Sequence, residues 1–102
     1  MVKRFEEIDA ARRLLMLPEQ ATLEDIKTHF RNSIREWHPD KSNHSVEECT
    51  EMTAKIVTAY RTLIDYCSRY KYSFTKEAVR EHLSEEEWWF ERFGRDAVWG
   101  KE

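Results

Sequence analysis

The sequence predicts an all-α fold. Two of the 102 residues are glycine and two are proline, which leaves little material for tight turns. Apolar side chains recur at spacings of three and four residues along most of the chain, which is the period of an amphipathic helix. A length of about one hundred residues fits one domain with a modest core. We therefore expect short amphipathic helices packed against one another.

Charge and cysteine content narrow the classes of function. The net charge is −3, whereas dedicated nucleic-acid binders usually carry a basic excess. Cys49 and Cys67 lack the short spacings of metal or redox motifs, so we expect a reducing compartment without disulfides. No long apolar run follows the N-terminal residues, so neither a signal peptide nor a membrane span is expected. The prediction is a cytoplasmic monomer that binds neither nucleic acid nor membrane.

A first short helix is predicted before Pro18. Its apolar residues recur at helical spacing. They are Phe5, Ile8, Ala11, Leu14 and Leu15. Asp9 could cap a shorter version of this helix, which leaves its start open. Pro18 is expected to stop it, because proline cannot continue the hydrogen-bond pattern.

A second helix is predicted to begin after Thr22. Thr22 and Asp25 are spaced as in a capping box, with Asp in place of the usual Glu or Gln. One face of this helix is apolar and the adjacent face is basic, a pattern that taken alone usually means a solvated face. The apolar face comprises Leu23, Ile26, Phe30, Ile34 and Trp37, and the basic face comprises Lys27, Arg31 and Arg35. Because Pro39 disfavours helical geometry in the residue before it, the helix should end at about Trp37 or His38.

A third and longer helix is predicted from Val46 to Tyr70. Its apolar residues form the seam that a long helix needs to pack against an antiparallel neighbour. They are Val46, Cys49, Met52, Ile56, Tyr60, Leu63, Cys67 and Tyr70, with Ala59 beside them. Residues 38–45 have the length of a helix–helix connection. We therefore expect the second and third helices to form a hairpin, with the first helix packed across it.

One or two further helices are predicted after residue 74. The first would start at Thr75, a candidate N-cap with Phe74 and Val79 placed as a hydrophobic staple. The second, residues 85–93, has a capping box, a staple and a C-terminal glycine. These signals are formed by Ser84 and Glu87, by Leu83 and Trp88, and by Gly94.

The loop after the second helix concentrates charged residues without a recognisable reaction centre. The four histidines and Cys49 lack the paired short spacings of a zinc site, so no metal is expected. Those considered are His29, His38, His44, Cys49 and His82. His38 and Asp40 have no evident nucleophile or oxyanion donor, and no glycine-rich phosphate loop is present, so neither catalysis nor a cofactor is expected. A charged loop beside a charged helix face can instead orient an acidic protein partner.

The segment from about Ala11 to Tyr66 resembles the J-domain of the DnaJ co-chaperone family. The matching features follow one another over three predicted helices and the loop. They are Leu14-Leu15-Met16-Leu17, Ala21, the Ile26–Phe30 helix with its basic face, Trp37, His38-Pro39-Asp40-Lys41, Ala59-Tyr60-Arg61-Thr62-Leu63 and Asp65. The resemblance implies a J-domain over residues 1–74, with a His-Pro-Asp loop at 38–45. Residues 75–102 would form a helical extension, expected to pack on the same core.

The resemblance also implies a function. J-domains bind the ATP-bound form of DnaK-type heat-shock chaperones and stimulate ATP hydrolysis, which locks a substrate polypeptide onto the chaperone. Asp40 would pair with an arginine near the partner's interdomain linker, and the basic helix face would meet an acidic patch. The implied partner-binding residues are His38, Pro39, Asp40, Lys41, Lys27 and Arg31. Arg35 is added to them because it lies on the same basic face of the second helix.

Some features depart from the family pattern. The tight Leu-Gly turn after the first helix is Leu15-Met16 here, so that connection is expected to differ. A glycine/phenylalanine-rich region, CxxCxGxG zinc repeats and a substrate-binding β-domain are missing from this sequence, which implies a minimal J-protein.

The aromatic C-terminal segment has two interpretations. Its residues either cover the helical core or form an anchor for a client or scaffold protein, and the first is favoured because exposed aromatic patches promote aggregation. They are Trp88, Trp89, Phe93 and Trp99. Two alternative functions stay open for the whole chain. One is a small helical nucleic-acid-binding domain that uses the basic face of the second helix, and the other is a J-like scaffold that activates no ATPase and binds another protein through its aromatic tail.

Overall fold

A computed structural model describes residues 2–83 and residue 87. The described chain forms α1 (Val2–Leu14), α2 (Leu23–Glu36), α3 (Val46–Ser68) and α4 (Lys76–Glu81). These residues contain no strand, which confirms the all-α prediction. None of the helices in this part of the chain is long and apolar enough to cross a membrane.

The chain divides into two compact units, Met1–Tyr70 with α1, α2 and α3, and Lys71–Glu102 with α4. The boundary expected after residue 74 and the packing of the extension on the core stay predictions. The second C-terminal helix, expected at 85–93, lies outside the described residues except for position 87. The four aromatic residues named as a possible anchor also lie outside them. They are Trp88, Trp89, Phe93 and Trp99.

Side-chain caps begin three of the helices. Thr22 Oγ1 accepts the Asp25 N–H at 3.0 Å, and the Asp25 carboxylate accepts the Thr22 N–H at 3.0 Å, which confirms the predicted capping box of α2. Hydrogen bonds from the backbone N–H and the side-chain hydroxyl of Thr22 hold the pKa of Asp25 below its ordinary value. Ser45 and Glu48 form a second capping box at the start of α3, with both bonds at 3.1 Å, and the sequence analysis missed it.

The third cap is Thr75, whose Oγ1 accepts the Ala78 N–H at 3.2 Å and begins α4 as predicted. Phe74 is nevertheless 85% exposed, so the staple expected between Phe74 and Val79 buries little of its ring. A six-residue helix with no buried residue contributes little core of its own.

The first helix was expected to stop at Pro18, and this was wrong, because α1 already ends at Leu14. Met16 has a φ of 59°, in the left-handed region that favours glycine. The Leu17 N–H donates to the Arg12 carbonyl at 3.0 Å and the Met16 N–H donates to the Arg13 carbonyl at 2.9 Å, which together make a Schellman motif. This connection was expected to differ from the family's Leu-Gly turn, because Met16 stands at the position of the glycine. The structure shows a tight turn in which Met16 itself takes the left-handed conformation.

The core of the first unit lies where α1 and α2 both pack on α3. Seven residues form its buried centre. They are Ala11, Leu15, Leu17, Ile26, Ile56, Ala59 and Leu63. The Trp37 ring stacks on His44 and the Phe30 ring on Tyr60, so the end of α2 meets the start of α3. The two helices are therefore antiparallel, which confirms the predicted hairpin.

Four residues assigned to apolar faces are exposed instead. They are Phe5, Leu23, Val46 and Tyr70. Each lies in the first turn of a helix or just beyond the last residue of one, where neighbouring helices offer less surface to cover it. The α3 seam is buried mainly in its middle, and α3 ends at Ser68 rather than at Tyr70.

Candidate partner-binding site

The loop between α2 and α3 is a hydrogen-bonded turn. The His38 carbonyl accepts the N–H groups of Lys41 and Ser42, each at 2.9 Å. Pro39 and Asp40 therefore occupy the two central positions of the turn. The fixed φ of proline suits the first of these positions. The local sequence thus builds a hydrogen-bonded tip whose residues 38–41 are exposed.

His38 and Asp40 are both accessible on this tip. The Asp40 side chain is 86% exposed and the His38 side chain is 56% exposed. The Asp40 N–H donates to His38 Nδ1 at 3.2 Å, which places the proton of the neutral ring on Nε2. Nδ1 then cannot donate to the Asp40 carboxylate, which lies 3.8 Å away. The carboxylate is therefore open to an external cation.

The basic face of α2 carries only weak internal interactions. Arg31 lies 3.8 Å from the Glu24 carboxylate, and both side chains are more than half exposed. Arg35 donates to the Asn32 side-chain oxygen at 3.2 Å, and Lys27 is half-buried. Exposed ion pairs contribute little stability, so Arg31 can exchange its partner for an external carboxylate at small cost.

A shallow groove of about 540 Å³ joins the basic face to the loop. It is lined by Phe30, Arg31, Ile34, Arg35, His38, Asp40 and Lys41. The fold thus brings together five of the seven predicted site residues. Lys27 lies further along α2, outside the groove lining, and Pro39 shapes the turn without lining the groove.

Phe30 and Ile34 form an apolar floor that sequence reasoning assigned only to the core. Both are partly buried, and the Phe30 ring stacks on Tyr60 with centroids 4.1 Å apart. Their other surface faces the groove. The signal available in the sequence was their position beside Arg31 and Arg35 on the helix, where a residue borders both core and solvent.

His44 is a second residue whose place was missed. The sequence analysis considered it only as a metal ligand, yet its ring stacks on Trp37 with centroids 4.5 Å apart and planes 20° apart. The available signal was its position directly before Ser45, the N-cap of α3. Within the described residues, no group of three or more His, Cys, Asp or Glu side chains is placed to hold a metal ion.

Comparison with known proteins gives consistent matches over this region. A family model described as the DnaJ domain matches residues 13–73. Chaperone protein DnaJ of Thermotoga maritima is 34% identical over 59 residues, which is 58% of this chain and 16% of that protein. Human DnaJ homolog subfamily B member 3 is 33% identical over 81 residues, 79% of this chain and 51% of that protein.

The DnaJ homolog subfamily B member 6 of Gallus gallus is 34% identical over 67 residues, 65% of this chain and 21% of that protein. The chain therefore spans from about a sixth to about half of the length of these relatives. No solved structure matches it. The matched segment contains α2, α3 and the loop between them.

Proposed function

The chain belongs to the DnaJ domain family, and on that basis we propose that it is a co-chaperone of a DnaK-type heat-shock chaperone. It binds the ATP-bound form of that chaperone and stimulates its ATP hydrolysis, which promotes capture of a substrate polypeptide and protein folding. The chain supplies recognition, and the hydrolysis occurs on the partner.

The observation that supports this proposal is the groove between α2 and the loop. It gathers Arg31, Arg35 and Lys41 around the exposed Asp40 carboxylate, on a chain whose net charge is −3. A basic surface carrying one exposed carboxylate suits an acidic partner patch that contains an arginine. Lys27 extends the basic surface along α2.

Each group has a distinct part in the proposed contact. The basic side chains steer the acidic chaperone and raise the association rate. Asp40 makes a charge-assisted hydrogen bond to the partner's arginine, worth roughly 1.5–3 kcal/mol. His38 offers its Nε2–H as a donor beside it. Pro39 reduces the entropy lost on binding, because the turn is already formed in the free protein.

The test is a single-turnover ATPase assay with the DnaK-type chaperone from the same organism. Asp40→Asn should abolish the stimulation and leave the circular dichroism spectrum and melting temperature unchanged, because the Asp40 carboxylate accepts no hydrogen bond from the described residues.

Glu51→Gln is the matched control. It removes one exposed carboxylate from α3, outside the groove lining, and should stimulate like the wild type. If Asp40→Asn retains full stimulation, or if the wild-type chain stimulates no ATPase, the proposed function is wrong.

A further inference from the structure

A side-chain contact closes the base of the loop. Trp37 is the last residue before the loop turns away from α2, and His44 is the last residue before the N-cap of α3. Their rings stack with centroids 4.5 Å apart. The six residues between them, 38–43, thus start and end at one contact, as in a compact Ω-like loop.

His44 is also linked to both sides of this contact. Its N–H donates to the Ser42 hydroxyl at 3.1 Å, on the loop side. Its Nδ1 lies 3.3 Å from Glu48 Oε1, and its carbonyl accepts a weak bond from Cys49 Sγ at 3.9 Å, both on α3. Cys49 is buried, so the α3 side of this arrangement is anchored in the protein interior.

From these contacts we infer that His44 is a positioning residue for the exposed turn that carries His38 and Asp40. It acts through Trp37: the stack fixes the distance between the two ends of the loop, and the bonds from Lys41 and Ser42 to the His38 carbonyl then select one turn conformation. This inference rests on the proposed function for its biological consequence, although the positioning itself is a property of the free chain.

The expected effect follows from the usual strength of an aromatic pair. Loss of such a stack shifts the equilibrium between closed and open loop by about two- to tenfold. His44→Ala should therefore speed amide exchange of Lys41 and Ser42 by that factor, because their N–H groups donate to the His38 carbonyl only in the closed turn. Exchange at Ile56, in the middle of α3, should stay much slower than at the turn in every variant, because it requires unfolding of the core.

Two further variants separate stacking from a general change in the loop. His44→Phe keeps an aromatic ring against Trp37 and should restore slow exchange. Asn43→Ala changes the adjacent exposed residue without touching the stack and should behave like the wild type. Exchange is measured by NMR on the full chain, with the melting temperature recorded for every variant.

The same proteins are then titrated into the DnaK-type chaperone. His44→Ala should need more protein for half-maximal stimulation, in proportion to the fall in the population of the closed turn, and His44→Phe should need the wild-type amount. Unchanged turn exchange in His44→Ala, or a His44→Phe variant that exchanges like His44→Ala, overturns the inference. A wild-type chain that stimulates nothing overturns the proposed function instead, and the exchange data still decide whether His44 positions the turn.

Discussion

Replacing Met16 with glycine is expected to stabilise the unit formed by α1, α2 and α3. Met16 has a φ of 59°, and a left-handed conformation costs a residue with a Cβ atom roughly 1–2 kcal/mol. Glycine adopts the same backbone without that cost. The Schellman bonds from Met16 and Leu17 use backbone atoms only, so the substitution leaves them in place.

Two effects make the increase in the free energy of unfolding smaller than the cost that glycine removes. Glycine increases the conformational entropy of the unfolded chain, which costs about 0.4–1 kcal/mol. The Met16 side chain is 79% exposed, so its removal gives up little buried apolar area. The net increase in the free energy of unfolding should be about 0.5–1 kcal/mol. For a domain of this size that corresponds to a rise in melting temperature of about 2–8 °C.

The assay is urea and thermal unfolding followed by far-UV circular dichroism, with Met16→Ala as the control. Alanine removes the methionine side chain but keeps the Cβ atom, and therefore the left-handed cost. Met16→Gly should be clearly more stable than Met16→Ala. Equal stability of the two variants would refute the reasoning, because the gain would then have nothing to do with the backbone conformation at position 16.

Two further predictions concern charge. Asp9 accepts hydrogen bonds from Arg12 and Arg13, which hold its pKa below the ordinary value. A carboxyl whose pKa is lower in the folded state than in the unfolded state stabilises the fold at a pH above the unfolded-state pKa. This stabilisation is lost as the pH falls through the folded-state pKa. Asp9→Asn should therefore melt below the wild type at about pH 6, and the difference should shrink as the pH falls through the folded-state pKa. A difference that stays constant down to acid pH would contradict this. On the proposed function, Lys27→Glu combined with Arg31→Glu should weaken chaperone binding most at low ionic strength, because salt screens exposed charges. A loss of affinity that is equal at low and high salt would indicate misfolding instead.

Much of the local structure could be predicted because its causes lie within a few residues of the chain. The Thr22 and Thr75 caps are examples, since each depends on a side chain and an N–H three residues apart. The end of α2 near Pro39 is another, because proline acts on its immediate neighbour. The alternation of apolar and polar residues also predicted the hairpin of α2 and α3.

The predictions that were wrong, and the features that were missed, concern residues whose burial or conformation is set by neighbouring elements of the fold. Phe5 and Val46 satisfy the helical apolar pattern, yet the ends of α1 and α3 leave them exposed. Met16 takes a left-handed conformation without being glycine, because the Schellman bonds and the burial of Leu17 offset its cost. Neither outcome follows from spacing alone.

The sequence by itself therefore determined the four described helices, the starts of α2, α3 and α4 and the exposed His38-Pro39-Asp40 turn, because these follow from local sterics and hydrogen bonding. The basic face of α2 was expected beside that turn. Only the tertiary structure decided that Phe30, which stacks on Tyr60 of α3, forms the floor of a groove there, and that His44 stacks on Trp37 at the base of the loop. Those contacts join residues on different elements. Their distances are set by how α2 packs on α3 across the core, which no single segment of the chain encodes.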